Sequence, residues 1–203
     1  MIQQTQIKKI LKGWKEKPLN EVLDYEQPNA YIIKGKIREK GKVPVLTANK
    51  SFIKGYIDET KGIYESVPVI IFDDFTADNK FVNFPFKVKS SAMKILKLKD
   101  KNASLKFVFY QMQLKEVNTT THKRYYLSKY QNINFLFPEN NGEIDLQKQE
   151  EVVQEIEKQF TRLDESVKSL KSVKEKLEIY RKAILKKLFE RFQEKRKVSE
   201  FVE

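Results

Sequence analysis

Cysteine is absent from this chain of 203 residues, and with it go disulfides, thiolate zinc sites and cysteine nucleophiles. Histidine occurs once, at His122, which makes a histidine-built metal centre or a Ser-His-Asp triad an improbable reading. There are only six glycines, and none falls in a phosphate-cradling pattern. The Asn/Asp-Pro-Pro-aromatic signature of adenine-N6 methyltransferases is missing too, as is a glycine-rich cofactor loop. No apolar run approaches the ~18 residues that a membrane span needs, and Met1-Ile2-Gln3-Gln4-Thr5 carries no signal-peptide core. The expectation is a soluble cytoplasmic protein that performs no chemistry alone, with no cofactor, no metal and no membrane partner.

Basic charge is abundant, and it is unevenly placed. The chain holds 40 Lys/Arg against 28 Asp/Glu, a net of +12. Residues 1–148 carry 26 and 16 of these, whereas residues 149–203 carry 14 and 12. The excess therefore sits on the first part. A basic globular domain points to a polyanion, nucleic acid first. A composition rich in lysine throughout would give the same count, so charge alone leaves both readings open.

The pattern along the chain divides it in two. Up to about Lys148 the sequence is aromatic and rich in strand-formers; from Gln149 to Phe192 there is no Gly or Pro. In the first part, Ile7–Trp14 is an apolar and basic lead-in, and residues 18–23 suggest a short helix beginning near Pro18. Strand-like runs follow at Tyr31–Ile33, Val43–Thr47, Val67–Phe72, Lys80–Phe86 and Met93–Leu98, bounded by turn residues. Leu105, Val108, Phe109 and Met112 recur at helical spacing, with Asn102 or Ser104 as the cap. A polar turn at residues 118–121 leads into His122-Lys123-Arg124-Tyr125-Tyr126, and Asn132–Phe137 is a last extended stretch. Residues 138–142 read as the hinge before a long helix.

That helix places Ile156, Phe160, Leu163, Val167, Leu170, Lys174, Leu177, Arg181, Ile184 and Leu188 in alternating steps of four and three. This is a heptad seam interrupted twice by polar residues, at Lys174 and Arg181. Val173, Tyr180 and Phe189 widen it on one side. A helix over 149–192 spans about 66 Å, longer than a compact domain of the preceding size, and its apolar stripe calls for another helix. The chain offers no second helix of that length, so an intermolecular pair is expected; folding back on its own domain is the alternative. The fold class is α+β: a β-rich recognition domain over 1–148, a long pairing helix over 149–192, and a polar, frayed tail over 193–203.

Several residues invite a chemical reading. Asp73-Asp74 at a strand end and Glu59 in a Glu-x-Lys arrangement are compatible with a small Mg²⁺-dependent nuclease, but acidic residues crowd turns for ordinary backbone-bonding reasons. The segment 119–130 gathers Thr, His, Lys, Arg, Tyr and Ser, types suited to phosphates and base edges; a solvated hairpin would look similar. Residues 87–91, Lys-Val-Lys-Ser-Ser, have the same double reading. The 14 Phe and 9 Tyr are most simply core, although aromatics also stack on single strands.

Longer blocks carry a resemblance. Residues 43–56 (VPVLTANKSFIKGY), 69–76 (VIIFDDFT) and 80–96 (KFVNFPFKVKSSAMKIL) resemble stretches in specificity subunits of type I restriction-modification systems, as do residues 122–126 (HKRYY) and 181–185 (RKAIL). The resemblance runs from about Trp14 to Phe189. It implies a target recognition domain reading half of a split DNA site, followed by a spacer helix. Family members usually carry two of each, with the helices antiparallel, and they lend specificity to separate subunits without being catalytic. Here there is one of each, so the expectation is a half-subunit, naturally short or truncated. Two copies would pair into a homodimer on a palindromic split site.

The implied partners are double-stranded DNA, adenine-N6 methyltransferase subunits, a restriction/translocase subunit where one exists, and a second copy of the chain. The residues expected to contact DNA are Lys50, Ser51, Thr76, Lys80, Lys87, Lys89, Ser90, Thr120, His122, Lys123, Arg124 and Tyr125. Lysines and arginine are assigned to phosphates, Thr120 and His122 to bases. The rivals are the small nuclease and a coiled-coil adaptor without DNA recognition.

Overall fold

The structure, a computed structural model, describes residues 13–49, 51–115 and 124–199, with side chains of the last helix described to Gln193. It comprises two units, Met1–Val153 and Gln154–Glu203. Among the described residues, ten strands, β1 (Trp14–Pro18), β2 (Leu23–Glu26), β3 (Val43–Leu46), β4 (Ile53–Ile57), β5 (Val69–Asp73), β6 (Asn79–Val82), β7 (Lys87–Val88), β8 (Met93–Leu98), β9 (Asn134–Asn140) and β10 (Glu143–Ile144), lie in the first unit. They are joined by two helices, α1 (Leu19–Val22) and α2 (Leu105–Met112), and the long α3 (Leu146–Ser199) begins there. No described helix is long and apolar enough to cross a membrane.

The strands form three sheets, ordered β1-β9-β10, β2-β8-β5-β6 and β4-β3-β7. The four-stranded sheet is the centre, and β5 shows why. Its Val69-Ile70-Ile71-Phe72 run is fully buried, because both faces of the sheet are covered. Ile70, Phe72 and Leu96 point into one core with Leu19, Val108, Tyr126, Tyr130 and Phe135. Val69, Ile71 and Ile95 point into the other, with Tyr64, Phe86 and Val88. A strand apolar at every position is what two-sided burial requires, since alternate side chains face opposite ways.

The third sheet is antiparallel between β3 and β4 but parallel between β3 and β7, at Val45↔Lys87 and Leu46↔Val88. β3 is the middle strand, yet it contains Pro44. The proline is tolerated because the β7 ladder begins only at Val45, so the missing N–H faces no partner strand there.

Four sequence expectations change. Tyr31–Ile33 is not a strand: Pro28–Tyr31 forms a 3₁₀ turn, and Ile32 makes a single bridge to Val88. The strand expected over Lys80–Phe86 stops at Val82, short of Pro85. Residues 138–142 are not a hinge but the end of β9 and a two-residue Asn141-Gly142 turn into β10. Both turn residues have positive φ, 53° and 86°, as a tight hairpin of this hand demands. Finally, α3 starts at Leu146 and runs to Ser199, beyond the expected bounds of 149–192 and into the tail expected to fray. Asp145 sets the start, its carboxylate accepting the Lys148 N–H at 3.0 Å as an N-cap does. The polar turn expected at 118–121 lies outside the described residues.

Gln149 fastens this helix start to α2. It is fully buried; its Oε1 accepts the Ser104 N–H at 2.9 Å, and its Nε2 donates to the Asn102 and Asp145 carbonyls. Ser104 precedes α2 but makes no side-chain cap, so Gln149 satisfies an N–H at that end instead. Farther on, α3 exposes a row of large apolar side chains, among them Leu163, Leu170 and Leu177, at 59%, 68% and 61% exposure.

Phe72 packs against Tyr130 and Tyr126 with ring centroids 4.7 and 5.3 Å apart. Truncating Phe72→Ala is expected to cost about 3–5 kcal/mol. Urea unfolding of the full chain should show the midpoint fall with the slope unchanged.

Candidate nucleic-acid interface

β5 ends at Asp73, Asp74 follows it, and each aspartate is fixed in its own way. The Asp73 Oδ1 accepts the N–H groups of Phe75 and Thr76, at 2.9 and 3.0 Å. Its carbonyl accepts the Ala77 N–H, and Ala77 takes a left-handed φ of 59°. These bonds shape a tight turn that presents Phe75 and Thr76 to solvent. Asp74 points inward and is 1% exposed. Its Oδ2 lies 3.4 Å from the Lys94 Nζ, both side chains being 1% exposed. Its Oδ1 accepts the Tyr126 N–H at 3.0 Å, and its carbonyl accepts the Tyr125 N–H at 2.8 Å.

Two clefts flank this turn. One, of about 250 Å³, is lined by Thr47, Asn49, Lys54, Asp73, Lys89 and Ser90, together with Leu46, Ala48, Ala92 and Met93. Its floor connects to the turn, since Asp73 is shared and the Asp74 N–H bonds the Ala92 carbonyl. The other, of about 420 Å³, is lined by Thr76, Ala77, Asp78, Asn79, Lys80, Met112, Gln113 and Lys115. There the Gln113 side chain donates to the Asn79 Oδ1, and the Lys115 Nζ to the Asn134 carbonyl.

This chain of contacts links most of the described residues expected to touch DNA. Ser51 joins through Asn49, whose Oδ1 accepts the Ser51 N–H at 3.1 Å. Lys89 and Ser90 line the first cleft, Thr76 and Lys80 the second, and exposed Arg124 directly precedes Tyr125, bonded to Asp74. Among the described residues, Lys54, Lys80, Lys89 and Arg124 form no ion pair, so their charge is available to a polyanion. Lys54, Asn79, Gln113 and Lys115 were not anticipated. Gln113 is an exposed amide of the kind that reads base edges, whereas Asn79 is buried at 7% exposure, its Oδ1 taken by Gln113 and its Nδ2 by the Ala77 carbonyl.

Two expected residues are placed elsewhere. Lys87 is buried and directed into a cavity lined by Ala30, Ile32, Glu59, Lys61 and Gly62. Its Nζ pairs with Glu59 at 2.5 Å and donates to the Lys61 carbonyl at 2.7 Å, so it is a structural cation with no phosphate-facing exposure. Tyr125 is 1% exposed, with the Lys129 Nζ 5.7 Å from its ring centre, and offers a solvent-borne ligand no face. Lys50, Thr120, His122 and Lys123 lie outside the described residues.

The three carboxylates of the nuclease reading are each committed separately. Asp73 closes a turn, Asp74 meets Lys94, and Glu59 meets Lys87 and the N–H groups of Lys34 and Gly35. Among the described residues, no group of three or more His, Cys, Asp or Glu converges as a metal site would.

No family model matches the chain. The specificity subunit of the type I restriction enzymes EcoR124I and EcoR124II from Escherichia coli is 40% identical over 195 residues, covering 91% of this chain and 48% of that protein. The S subunit of a type I restriction-modification system from M. genitalium has the same fold, with a TM-score of 0.54 at 16% identity, over 74% of this chain and 40% of that one. A chain from a solved type I restriction-modification assembly gives 0.52 at 14% identity, over 80% and 45%. The fold and the sequence thus define a domain-plus-helix unit of the S-subunit type. The chain belongs to the specificity-subunit family of type I restriction enzymes and spans about half the length of the curated relative it matches.

The Lys87 ammonium, bonded to Glu59, holds that carboxyl at about 2 instead of the usual 4.5; the Gly35 and Lys34 N–H groups add to this, and burial opposes it. A carboxylate depressed in the folded state contributes stability that is complete above its unfolded value and lost as pH falls toward the folded one. Acid titration of stability between pH 4.5 and about 2 should therefore be shallower for Glu59→Gln than for the parent.

Proposed function

We propose that the chain is a non-catalytic, cytoplasmic DNA-specificity component that reads one half of a split site through the Thr76–Arg124 face. The observation that carries this reading is the 40% identity to a specificity subunit along domain and helix alike. Supporting it are the unpaired cations Lys54, Lys80, Lys89 and Arg124, arranged beside amides and hydroxyls on one string of contacts. Cations provide the salt-dependent grip on phosphates, while Gln113 and Thr76, both exposed, are of the types that distinguish base edges.

The helix supports the second half of the proposal. A stripe at heptad spacing that remains exposed over residues 160–188 is suited to a helix of equal kind. In our reading two copies pair antiparallel, placing two recognition domains on inverted half-sites. Lys174 and Arg181, at seam positions, would set the register. The apolar surface beside the seam, at Leu185, Phe189 and Phe192, is then left for methyltransferase subunits, which supply the chemistry.

Light scattering of the full chain should give a mass near twice 24.1 kDa. The double change Leu170→Glu, Leu177→Glu should return it to the monomer, since each buried leucine is worth about 1.5–3 kcal/mol. A monomer at all concentrations for the parent would sink the self-pairing.

For DNA, log affinity should fall with log salt at about −0.9 per phosphate contacted. Arg124→Ala should weaken binding to a selected site by about 1–3 kcal/mol if it reads a base, or reduce the salt slope by about one if it holds a phosphate. A variant unchanged in both would remove Arg124 from the interface.

A further inference from the structure

A buried charged pair in a small domain calls for an explanation, because an apolar pair of the same shape is often at least as stable. Asp74 and Lys94 form such a pair, 1% exposed on both sides. Lys94 stands in an otherwise apolar stretch of β8, between Met93 and Ile95, and its Nζ lies 5.5 Å from the centre of the Tyr25 ring. Tyr25 in turn meets the edge of Tyr126. What the pair holds is specific: the Asp74 Oδ1 is the acceptor for the Tyr126 N–H, while the Asp74 carbonyl takes the Tyr125 N–H. Asp74 is also the residue immediately before the Phe75–Ala77 turn, and its own N–H is fixed to Ala92 beside the Lys89–Ser90 cleft.

We infer that Asp74 is a positioning residue for specificity: oriented by Lys94, it registers the chain arriving at Arg124 against the Thr76 turn, so that both present their side chains to one DNA segment. The inference rests on the DNA-recognition reading above and adds a determinant that touches no DNA. The ion pair holds the carboxylate still, and the carboxylate sets the backbone on which Arg124 is carried. A displacement of about 1 Å in that backbone breaks the hydrogen-bond geometry on which base readout depends. The phosphate grip of Lys54, Lys80 and Lys89 lies on β4, on β6 and just past β7, none of which carries a group bonded to the Asp74 carboxylate.

The test uses the full chain and two charge-neutral double variants. D74L/K94M replaces the pair with apolar isosteres and deletes the acceptor for Tyr126. D74N/K94Q deletes the charges but keeps an amide oxygen at that position. The probes are a duplex selected by the parent from a randomised pool and a scrambled duplex of equal length. D74L/K94M should melt cooperatively and bind the scrambled duplex no more weakly, and with no shallower a salt slope, than Arg124→Ala. Its preference for the selected duplex should fall by at least about 10-fold, the scale of one lost base contact. D74N/K94Q should recover most of that preference.

Unchanged preference in a folded D74L/K94M overturns the inference. So does an equal loss on both duplexes, or a failure of D74N/K94Q to restore the preference, since either marks a merely structural pair. Hydrogen exchange on the parent decides independently of any variant: slow exchange at the Tyr125 and Tyr126 amides is expected, and loop-like rates there overturn the anchoring. If the parent selects no sequence, the recognition reading fails by itself. Exchange then judges the anchor alone: protection lost at Tyr126 in D74L/K94M keeps it, and protection unchanged removes it.

Discussion

The central sheet of this protein is buried on both faces, and the rest of the domain is arranged to make that possible. Side chains of β5 and β8 alternate into two separate cores, one closed by α1, α2 and β9, the other by the β4-β3-β7 sheet and the aromatic group around Tyr64 and Phe86. Burial on this scale supplies the main driving force for folding. It also imposes a rule: any polar group entering these cores must bring its partner along. Lys94, Asp74 and Gln149 obey it, each meeting a hydrogen-bond or ion-pair partner, and no described buried side-chain polar atom is left without one.

The same rule explains why the charge of the chain is a poor map of its surface. Two of its lysines, Lys87 and Lys94, are internal and neutralised by Glu59 and Asp74. Their neighbours Lys89, Lys54 and Lys80 are the ones free to act on a polyanion. Burial separates these roles: Lys87 lies on the strand paired to Val45 and reaches into a cavity, whereas Lys89 is past the end of that strand. Burial also acts on the phenols. Desolvation drives the Tyr126 and Tyr130 hydroxyls well above their ordinary range, and the Glu26 carboxylate bonded to Tyr31 pushes that phenol up to about 12. All three remain neutral structural groups at ordinary pH.

Much of the architecture was legible in the residues. Met93–Leu98 and Leu105–Met112 appear as the sequence pattern suggested, because each carries a strong local period and clear flanking signals. The α3 seam is visible for the same reason. The strands without a local signal are the polar or short ones, and β4, whose centre is Gly55, a residue that reads as a turn. β1 reads Trp-Lys-Glu-Lys-Pro and is a strand only because β9 offers it a ladder. β7 and β10 are two residues each. The Asn141-Gly142 turn carries a hairpin signal, but the two-residue strand after it is too short to show a period of its own. Of the candidate site, Thr76, Lys80, Lys89, Ser90 and Arg124 stand out by residue type. The bonds that tie the Thr76 turn and the backbone after Arg124 to Asp73 and Asp74 do not, because main-chain bonds between residues some fifty positions apart leave no trace in a local pattern.

Those main-chain bonds have a consequence for how such a domain can change. Tyr125 and Tyr126 are held through their backbone N–H groups, by the Asp74 carbonyl and carboxylate. A bond made through the main chain does not depend on which side chain its neighbour carries. Such a frame works like a socket: the exposed position next to it, Arg124, can be exchanged while the contacts that hold the backbone stay the same. The surface here is therefore free to vary in sequence without rebuilding the cores beneath, and that freedom rests on a few carbonyl and carboxylate oxygens.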